Sequence, residues 1–267
     1  MTINMSDLTE TSIAVVCFSN FRQQQAKAFC QLNKLPLLNK KDSQYPLQLL
    51  FHDDLIELFD SQLNTSISID FLKGAMAHRQ QFGGGRGQAI AKAIGLKSGI
   101  TPTVLDTTAG LAGDAFVLAT LGCPITLVER SPVLFCLLDN ALERATLNAV
   151  FEPISQQGFR IISQDANDYI NEQQSKQQPP PDVIYIDPMY PERKKSALVK
   201  KDMQILQRLH GHNDDAGSLL NNALLFAKKR VVVKRPAHAE TLNEKKPNTC
   251  IKSKKTRYDI YTIEKML

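Results

Sequence analysis

An acidic residue followed by a proline-rich bend is the feature of the sequence with the clearest chemistry. The apolar run Val183 to Ile186 leads into Asp187-Pro188-Met189-Tyr190-Pro191. Proline fixes φ and disfavours a helical conformation in the preceding residue, so we expect this corner to be rigid. The Asp187 carboxylate and the Pro188 carbonyl can accept hydrogen bonds from an exocyclic amine, and Tyr190 can stack on its ring. We therefore predict that Asp187, Pro188 and Tyr190 are catalytic and act by positioning; the plainer alternative is a turn that closes a strand.

A loop of small residues lies upstream and has the composition of a ligand cradle. A short apolar strand ends at Asp106, and the loop runs through Gly110 and Gly113 into a helix beginning at Asp114. Small residues let a ligand approach the backbone closely at the carboxyl end of a strand, where α/β sheets bind ligands. The Gly-x-x-Gly spacing is neither the Gly-x-Gly-x-x-Gly of nicotinamide enzymes nor a Walker phosphate loop. Both of those classes are therefore disfavoured.

Two further acids follow the next two predicted strands. Glu129 closes one strand, and a carboxylate there can accept hydrogen bonds from a ribose diol. Asp165 lies just past the following strand, where it can accept a hydrogen bond from an adenine amine. Either acid taken alone is better explained as a helix N-cap or as a solvated loop residue. Acids after three successive strands, counting Asp106, favour a nucleoside cofactor.

The elements that must position these residues alternate between strand and helix. We predict strands at 103–106, 125–129, 160–163 and 182–187, and helices at 114–121, 132–147 and from 166 to at least 171, with a polar loop at 173–181. Beyond the bend we predict helices near 201–209 and 218–228, a strand at 231–234, and a hairpin joining 249–252 to 258–263. Alternation of this kind predicts an α/β fold with a doubly wound, mostly parallel sheet and a C-terminal antiparallel hairpin.

The first 75 residues have a different character, with short β-branched or alternating runs and few helices. We expect strands at 11–18, 45–51, 55–59 and 67–72. The predicted domains are therefore a small β-rich N-terminal subdomain, 1–75, and a larger ligand-binding domain, 76–267.

Charge is distributed unevenly along the chain. From Pro191 onward there are 18 Lys and Arg against 8 Asp and Glu, a net +10, whereas the preceding residues carry a net −5. This polarity indicates a polyanion partner near the C-terminal third. The candidate residues for binding such a partner are Arg79, Arg86, Arg193, Lys194, Lys195, Lys200, Lys201, Lys234 and Arg235.

Several classes of protein are disfavoured by composition. The five cysteines lack a CxxC pair and the five histidines lack ligand spacing, so we expect no disulfide framework and no metal. No run of 18 apolar residues and no secretion signal is found, so we expect no membrane association and a cytoplasmic location. The oligomeric state cannot be read from the sequence.

Long motifs resemble one family, the ribosomal RNA small subunit methyltransferase J family, within the class I methyltransferases. The matching segments are Gly74 to Arg79, Phe82 to Gly87, Asp106 to Phe116, Asp187 to Pro191, Lys195 to Lys201 and Val231 to Pro236. The resemblance covers about residues 70–267 well and is weak over 1–65. It implies a Rossmann-like methyltransferase fold and methyl transfer from S-adenosyl-L-methionine, leaving S-adenosyl-L-homocysteine, to the N2 amine of one guanine in 16S rRNA. The implied partner is small-subunit rRNA or the 30S subunit, so the basic residues named above are predicted to bind RNA.

The resemblance also implies a set of cofactor contacts, to which we add the loop residues Asp106 and Gly110. The family positions fall on Gly113, Asp114, Glu129, Arg130, Asp165, Ala166 and Asp187. Two departures are visible: Ala112 and Gly113 stand where Gly and Arg are usual, and Asp165-Ala166 where serines can occur. Contacts made through the backbone would tolerate both.

Two alternatives remain at this point. The same bend could serve a DNA or protein N-methyltransferase. A different class of protein, a non-catalytic RNA-binding factor of ribosome assembly, could keep the fold without the reaction.

Overall fold

The computed structural model describes residues 13–73, 85–188, 201–210 and 216–266. The chain divides into two compact units. The first comprises Met1–Ile69, Ser131–Arg144 and Pro191–Asn213, and the second comprises Asp70–Arg130, Ala145–Tyr190 and Asp214–Leu267. The predicted boundary between residues 75 and 76 lies outside the described residues.

The first unit is built on a five-stranded mixed sheet. Its strands are β1 (Ile13–Cys17), β2 (Leu37–Leu38), β3 (Leu47–Phe51), β4 (Ile56–Asp60) and β5 (Thr65–Ile67), in the order β2-β1-β3-β4-β5. β1 is parallel to both neighbours, whereas β3–β4 and β4–β5 are antiparallel. Helices α1 (Gln23–Asn33) and α7 (Lys201–His210) belong to this unit, as does most of α4 (Pro132–Thr146).

The second unit contains a seven-stranded sheet. Its strands are β6 (Val104–Asp106), β7 (Ile125–Glu129), β8 (Phe159–Ser163), β9 (Val183–Ile186), β10 (Arg230–Pro236), β11 (Thr249–Lys252) and β12 (Thr256–Thr262). The order is β11-β12-β10-β9-β6-β7-β8. β6 to β10 are mutually parallel, and β12 joins β10 and β11 in antiparallel fashion. The helices are α2 (Ala89–Ala93), α3 (Gly113–Thr120), α5 (Glu152–Gly158), α6 (Ala166–Ser175) and α8 (Ala216–Phe226).

Alternation along β9 and β10 sends side chains to two different layers. Ile184 and Ile186 of β9 and Val231 and Val233 of β10 pack in one buried cluster with α6 and α8. Because successive side chains of a strand point to opposite faces, Tyr185 belongs to the other face of the sheet. By the same alternation, Asp187, which follows Ile186, and Lys234, which follows Val233, belong to the face of Tyr185.

Four phenylalanines pack together in the second unit. The rings of Phe71 and Phe116 lie 5.1 Å apart, and Phe159 meets Phe71 edge-on at 5.4 Å. Phe151 completes the group, 5.9 Å from Phe159. Phe116 is on α3, so this cluster anchors the helix that follows the small-residue loop.

The predicted fold class is confirmed, including the antiparallel C-terminal hairpin and the small N-terminal sheet. Helices α1 and α5 were not predicted; Gln23–Asn33 is polar overall and buries only Ala26 and Cys30. The predicted loop at 173–181 is wrong over its first residues, since α6 continues to Ser175 with helix-favouring Glu and Gln side chains. The expected strand at 67–72 is also wrong beyond Ile67, although Ile69 and Phe71 are buried in alternation. No helix in the described part of the chain is long and apolar enough to cross a membrane.

Candidate active site

The strand order of the second unit's sheet has a topological switch point near its middle, between β6 and β9. The chain proceeds from β6 outward through β7 and β8, then returns to place β9 and β10 on the opposite side of β6. Ligands in open α/β sheets bind at such a switch point, beyond the carboxyl ends of the strands. Asp106 ends β6, and Asp187 directly follows β9. The two acids that the sequence singled out therefore flank the switch point.

The register of the strands brings a lysine beside Asp187. β10 is paired in parallel with β9, with Val233 opposite Ile186. One residue further along each strand, Lys234 meets Asp187, and both side chains share the face of Tyr185. On the other side of Lys234, the antiparallel partner is Tyr258 of β12.

The Lys234 ammonium bridges two carboxylates. Its Nζ lies 2.7 Å from Asp187 Oδ2 and 2.9 Å from Asp114 Oδ2. Asp114 stands in the first turn of α3, where the helix dipole favours negative charge. Burial lowers the pKa of Lys234, but the charges of Asp187 and Asp114 outweigh it and raise the pKa above its ordinary value. The lysine is therefore charged at any physiological pH.

A buried tyrosine donates a hydrogen bond to one of these two carboxylates. Tyr185 is 1% exposed, and its hydroxyl donates to Asp114 Oδ2 at 2.6 Å. Burial, together with the charges of Asp114 and Asp187, raises the pKa of Tyr185 well above its usual range. Tyr185 thus remains a neutral hydrogen-bond donor that fixes the position of Asp114.

Thr108 connects Asp187 to Asp106. The Asp187 backbone N–H donates to Thr108 Oγ1 at 2.6 Å. The Thr108 N–H and hydroxyl donate to Asp106 Oδ1, at 2.9 and 3.3 Å. Asp106 is 3% exposed. Burial, with smaller contributions from Asp187 and Asp114, raises the pKa of Asp106 to about 7 against the lowering effect of the Thr108 N–H.

The small-residue loop is attached to the end of β7. Ala109 N–H donates to the Val128 carbonyl at 3.3 Å, and Gly110 N–H donates to Glu129 Oε2 at 2.9 Å. Gly110 has a φ of +54°, which glycine adopts without steric cost, and Ala112 has a φ of +57°. Apart from its own helix backbone and chain neighbours, no atom of the described residues lies within 4 Å of a Cβ added to Gly113, so none of their side chains covers the loop there.

The remaining predicted cofactor residues lie at the same edge of the sheet with different roles in the chain. Glu129 is buried at the last position of β7, and Arg130 after it is exposed. Asp165 caps α6 by accepting from Asn167 N–H at 2.8 Å and Asp168 N–H at 3.3 Å. Ala166 is the buried first residue of that helix. The capping role that the sequence left open for Asp165 is therefore present in the structure.

The donors and acceptors at this edge suit a nucleoside with hydroxyl, amine and cationic groups. Carboxylates accept hydrogen bonds from hydroxyls and amines, and they attract positive charge. The carboxylates at this edge are Asp106, Asp114, Glu129, Asp165 and Asp187. Because no side chain of the described residues covers Gly113, a ligand can approach the loop there without displacing one of them.

The predicted RNA-binding residues are not all where the sequence placed them. Arg86 and Lys201 are exposed. Lys234 must be corrected, since its ammonium is held between two carboxylates. Arg235 must also be corrected, because it is buried and its Nε and Nη2 donate to the Glu240 carbonyl at 3.1 and 2.8 Å.

Several predicted residues lie outside the described residues. They are Tyr190 of the bend and the basic residues Arg79, Arg193, Lys194, Lys195 and Lys200. Lys234 is the site residue that the sequence analysis misassigned. The signal for its place was available, because Lys234 ends an apolar β10 run just as Asp187 ends the apolar run of β9.

No group of three or more His, Cys, Asp or Glu residues that could hold a metal occurs among the residues that the structure describes. The described cysteines are all free thiols, and burial raises the pKa of Cys123 and Cys136 to about 12.

Comparison with known proteins gives one consistent family. The model of the family described as "Putative SAM-dependent methyltransferase" matches residues 30–263. A ribosomal RNA small subunit methyltransferase J from Shewanella amazonensis is 51% identical over 80% of this chain and 85% of its own length. The protein of that name from Psychromonas ingrahamii is 44% identical over 95% of this chain and 97% of its own length.

A solved structure agrees in fold. The crystal structure of a SAM-dependent methyltransferase from Neisseria gonorrhoeae superposes with a TM-score of 0.73 at 30% identity, covering 93% of this chain and 96% of the other. The similarity extends over the N-terminal unit as well as the large sheet. With the family model and the close relatives, it shows that this chain belongs to the ribosomal RNA small subunit methyltransferase J family of SAM-dependent methyltransferases.

Proposed function

We propose that this enzyme transfers the methyl group of S-adenosyl-L-methionine to the N2 amine of a guanine in small-subunit rRNA. The observation that carries the proposal is the corner at Asp187 and Pro188, set at the switch point of the sheet beside the small-residue loop. The relatives are named for the rRNA of the small subunit, and that substrate is proposed here for this chain. The choice of guanine N2 rests on the family resemblance.

The cofactor would be held by the loop and by the acids at the carboxyl ends of the strands. When bound, S-adenosyl-L-methionine supplies a methyl group on a sulfonium, which is already an activated leaving group. Glu129 is proposed to accept hydrogen bonds from ribose hydroxyls and Asp165 from the adenine amine. The other proposed cofactor contacts are Asp106, Gly110, Gly113, Asp114, Arg130, Ala166 and Asp187.

Asp187 and Pro188 are proposed to orient the amine of the base. The lone pair of an exocyclic amine is delocalised into the ring, which makes the nitrogen a poor nucleophile. Hydrogen bonds from the amine to the Asp187 carboxylate and the Pro188 carbonyl favour a pyramidal nitrogen. In this arrangement the two residues contribute by holding the nucleophile in line, and orientation of this kind can supply several kcal/mol of the barrier, roughly 7–11 at most. Tyr190 is proposed to stack on the base.

RNA is proposed to bind through exposed basic residues near the bend and elsewhere in the C-terminal third. Of the predicted set, Arg86, Lys201 and the residues outside the described ranges remain candidates for phosphate contacts. Small-subunit rRNA or the 30S subunit as partner, and a cytoplasmic location, are part of this proposal.

The test is methyl transfer from tritium-labelled cofactor to 30S subunits or 16S rRNA that lacks the modification. We expect incorporation with the wild-type chain, and a loss of at least about a hundredfold with Asp187→Ala because the amine loses its orienting acceptor. Digestion of the labelled RNA to nucleosides should give N2-methylguanosine. Thermal melting checks that the variant is folded.

The outcomes separate the alternatives. Label that resists ribonuclease but yields to deoxyribonuclease or protease would replace RNA by DNA or protein as substrate. RNA binding without calorimetric binding of S-adenosyl-L-homocysteine would indicate a non-catalytic factor. Full incorporation by Asp187→Ala would refute the role proposed for the corner.

A further inference from the structure

The pairing of Lys234 with Asp187 is tighter than the reaction as proposed requires, and it calls for an explanation. Nζ contacts Asp187 Oδ2 at 2.7 Å and Asp114 Oδ2 at 2.9 Å, and the side chain is only 25% exposed. A lysine that served only to attract phosphate would extend into solvent, where side chains of this kind are usually found. Here the ammonium is instead committed to the acids of the site.

The cluster needs a cation for electrostatic reasons. Besides Lys234 of β10, Asp187 interacts electrostatically with Asp106 at the end of β6 and with Tyr185 of β9. Asp114 of α3 acts on all three of these groups, and Tyr258 of β12 acts on Tyr185. Like charges confined together raise each other's pKa, and an opposite charge within about 4–6 Å lowers a carboxyl pKa by roughly 1–3 units. Lys234 supplies that charge to Asp187 and Asp114.

Geometry gives Lys234 a second role. The Asp187 backbone N–H is held by Thr108, and the ammonium holds Oδ2 of its side chain. Asp114, the other partner of the lysine, is itself fixed by the buried Tyr185 hydroxyl. Asp187 is thus held at its backbone N–H and at one carboxylate oxygen, which limits rotation of the side chain, and a charged hydrogen bond is the stronger kind.

We infer that Lys234 is a positioning residue for methyl transfer, which keeps the Asp187 carboxylate ionised and oriented toward the amine of the base. The inference rests on the proposed function, since it acts through Asp187. It does not require Lys234 to touch RNA or cofactor.

The test compares Lys234→Met, which keeps the length of the side chain but removes the charge, with Lys234→Arg, which keeps the charge. We expect Lys234→Met to lower kcat/KM for rRNA by at least about tenfold at pH 7. We also expect the acid-side midpoint of its pH profile to rise by about 1 pH unit or more, because the Asp187 carboxylate loses its neighbouring cation. Lys234→Arg should keep the wild-type midpoint, even if its kcat is lower.

A readout other than activity follows the carboxylates directly. Carbon-13 NMR of ligand-free protein labelled at its aspartate carboxyls measures this. The Asp187 resonance is assigned as the one that disappears in Asp187→Asn. In Lys234→Met we expect that resonance to titrate at a higher pH than in the wild type. Thermal melting over the same pH range shows that the fold persists.

Lys229→Met is the matched control. Lys229 forms an ion pair with Glu264, 2.6 Å away, next to the opposite end of the same strand. It should leave the pH profile and the Asp187 resonance unchanged. A loss of activity in Lys234→Met that is equal at every pH, with an unmoved Asp187 resonance, would overturn the inference. Absence of rRNA methylation by the wild type would refute the proposed function instead, while the NMR titration would still judge Lys234.

Discussion

At the scale of single residues, the buried Asp106 contributes through the hydrogen bonds that it accepts as much as through its charge. It ends β6 and accepts both hydrogen bonds that Thr108 offers to it, which shapes the start of the loop. Its pKa is raised to about 7 by burial first, and by Asp187 and Asp114 in addition. Near neutral pH this carboxyl is therefore partly protonated in the folded protein, whereas in the unfolded chain it is ionised above about pH 4.

A raised carboxyl pKa has a definite effect on stability. The folded state binds more protons than the unfolded state between about pH 4 and pH 7, so the free energy of unfolding should fall as pH rises through this window. Asp106→Asn should remove the decline and gain stability relative to the wild type at pH 8, by about 1–4 kcal/mol. Urea denaturation at pH 5, 6, 7 and 8, followed by circular dichroism, measures both slopes. Parallel curves for the two proteins would show that Asp106 is ionised throughout.

Residue chemistry was the most predictable layer of this molecule. Asp106 and Asp187 were identified from their positions after apolar strands, and the structure places them on either side of the switch point. Lys234 was assigned to RNA because a sequence records charge but not partners. Only the pairing of β9 with β10 brings its ammonium to Asp187.

At the scale of elements, α7 forms a partly buried ion pair with the N-terminal sheet. Asp60, at the end of β4, is fully buried, and its Oδ2 lies 2.8 Å from Arg208 Nη1. Its Oδ1 accepts from the N–H groups of Gln62 and Leu63, both at 2.9 Å. Removal of the arginine would leave a carboxylate in the interior without its cation.

Arg208→Leu should therefore destabilise the protein by about 1–3 kcal/mol, less than the 3–5 typical of a fully buried pair because Arg208 is 26% exposed. Chemical denaturation measures the change. Adding Asp60→Asn to the same chain should recover part of the loss, since the uncompensated charge is then gone. Lys176→Gln, which removes an exposed pair on α6, serves as the control and should be neutral. An unchanged midpoint in Arg208→Leu would mean that α7 does not depend on this contact.

Elements were predictable where their pattern is periodic and unpredictable where packing decides. The strands of the second unit and its helices α3, α6 and α8 were located within a few residues, because each carries apolar residues at the spacing of its structure, whereas α5 was missed. Helix α1 was missed because its buried residues are only Ala26 and Cys30 on a polar background. The segment after β5 shows the reverse case, in which Ile69 and Phe71 are buried alternately without a strand being formed.

At the scale of the whole molecule, charge separates the C-terminal third from the rest. The residues from Pro191 carry a net +10, and those before it a net −5. Part of this charge is committed internally, as in Lys234 and Arg235. An exposed part lies on and between β11 and β12, where Lys252, Lys254 and Lys255 are all exposed.

We expect this hairpin to bind RNA phosphates. Replacing Lys252, Lys254 and Lys255 together by Gln should weaken binding to 16S rRNA and reduce the slope of log K against log salt by about 2, at roughly 0.7–0.9 for each phosphate that a lysine no longer neutralises. Filter binding between 50 and 200 mM salt measures both. The control is the same change at three exposed lysines of the acidic part of the chain, Lys27, Lys34 and Lys40. Equal slopes for the hairpin variant and the wild type would remove the hairpin from the RNA surface.

The discontinuous first unit has a consequence for how this protein is made. Asp60 is synthesised 148 residues before its partner Arg208. Ile56, whose N–H begins β4, is synthesised 84 residues before Asn140, whose Oδ1 accepts the hydrogen bond from that N–H. The ribosome delivers the chain from its amino end, so the earliest strands leave the exit tunnel long before the side chains that complete them. The N-terminal sheet must spend much of translation unfinished, and it reaches its final form only after most of the chain has followed.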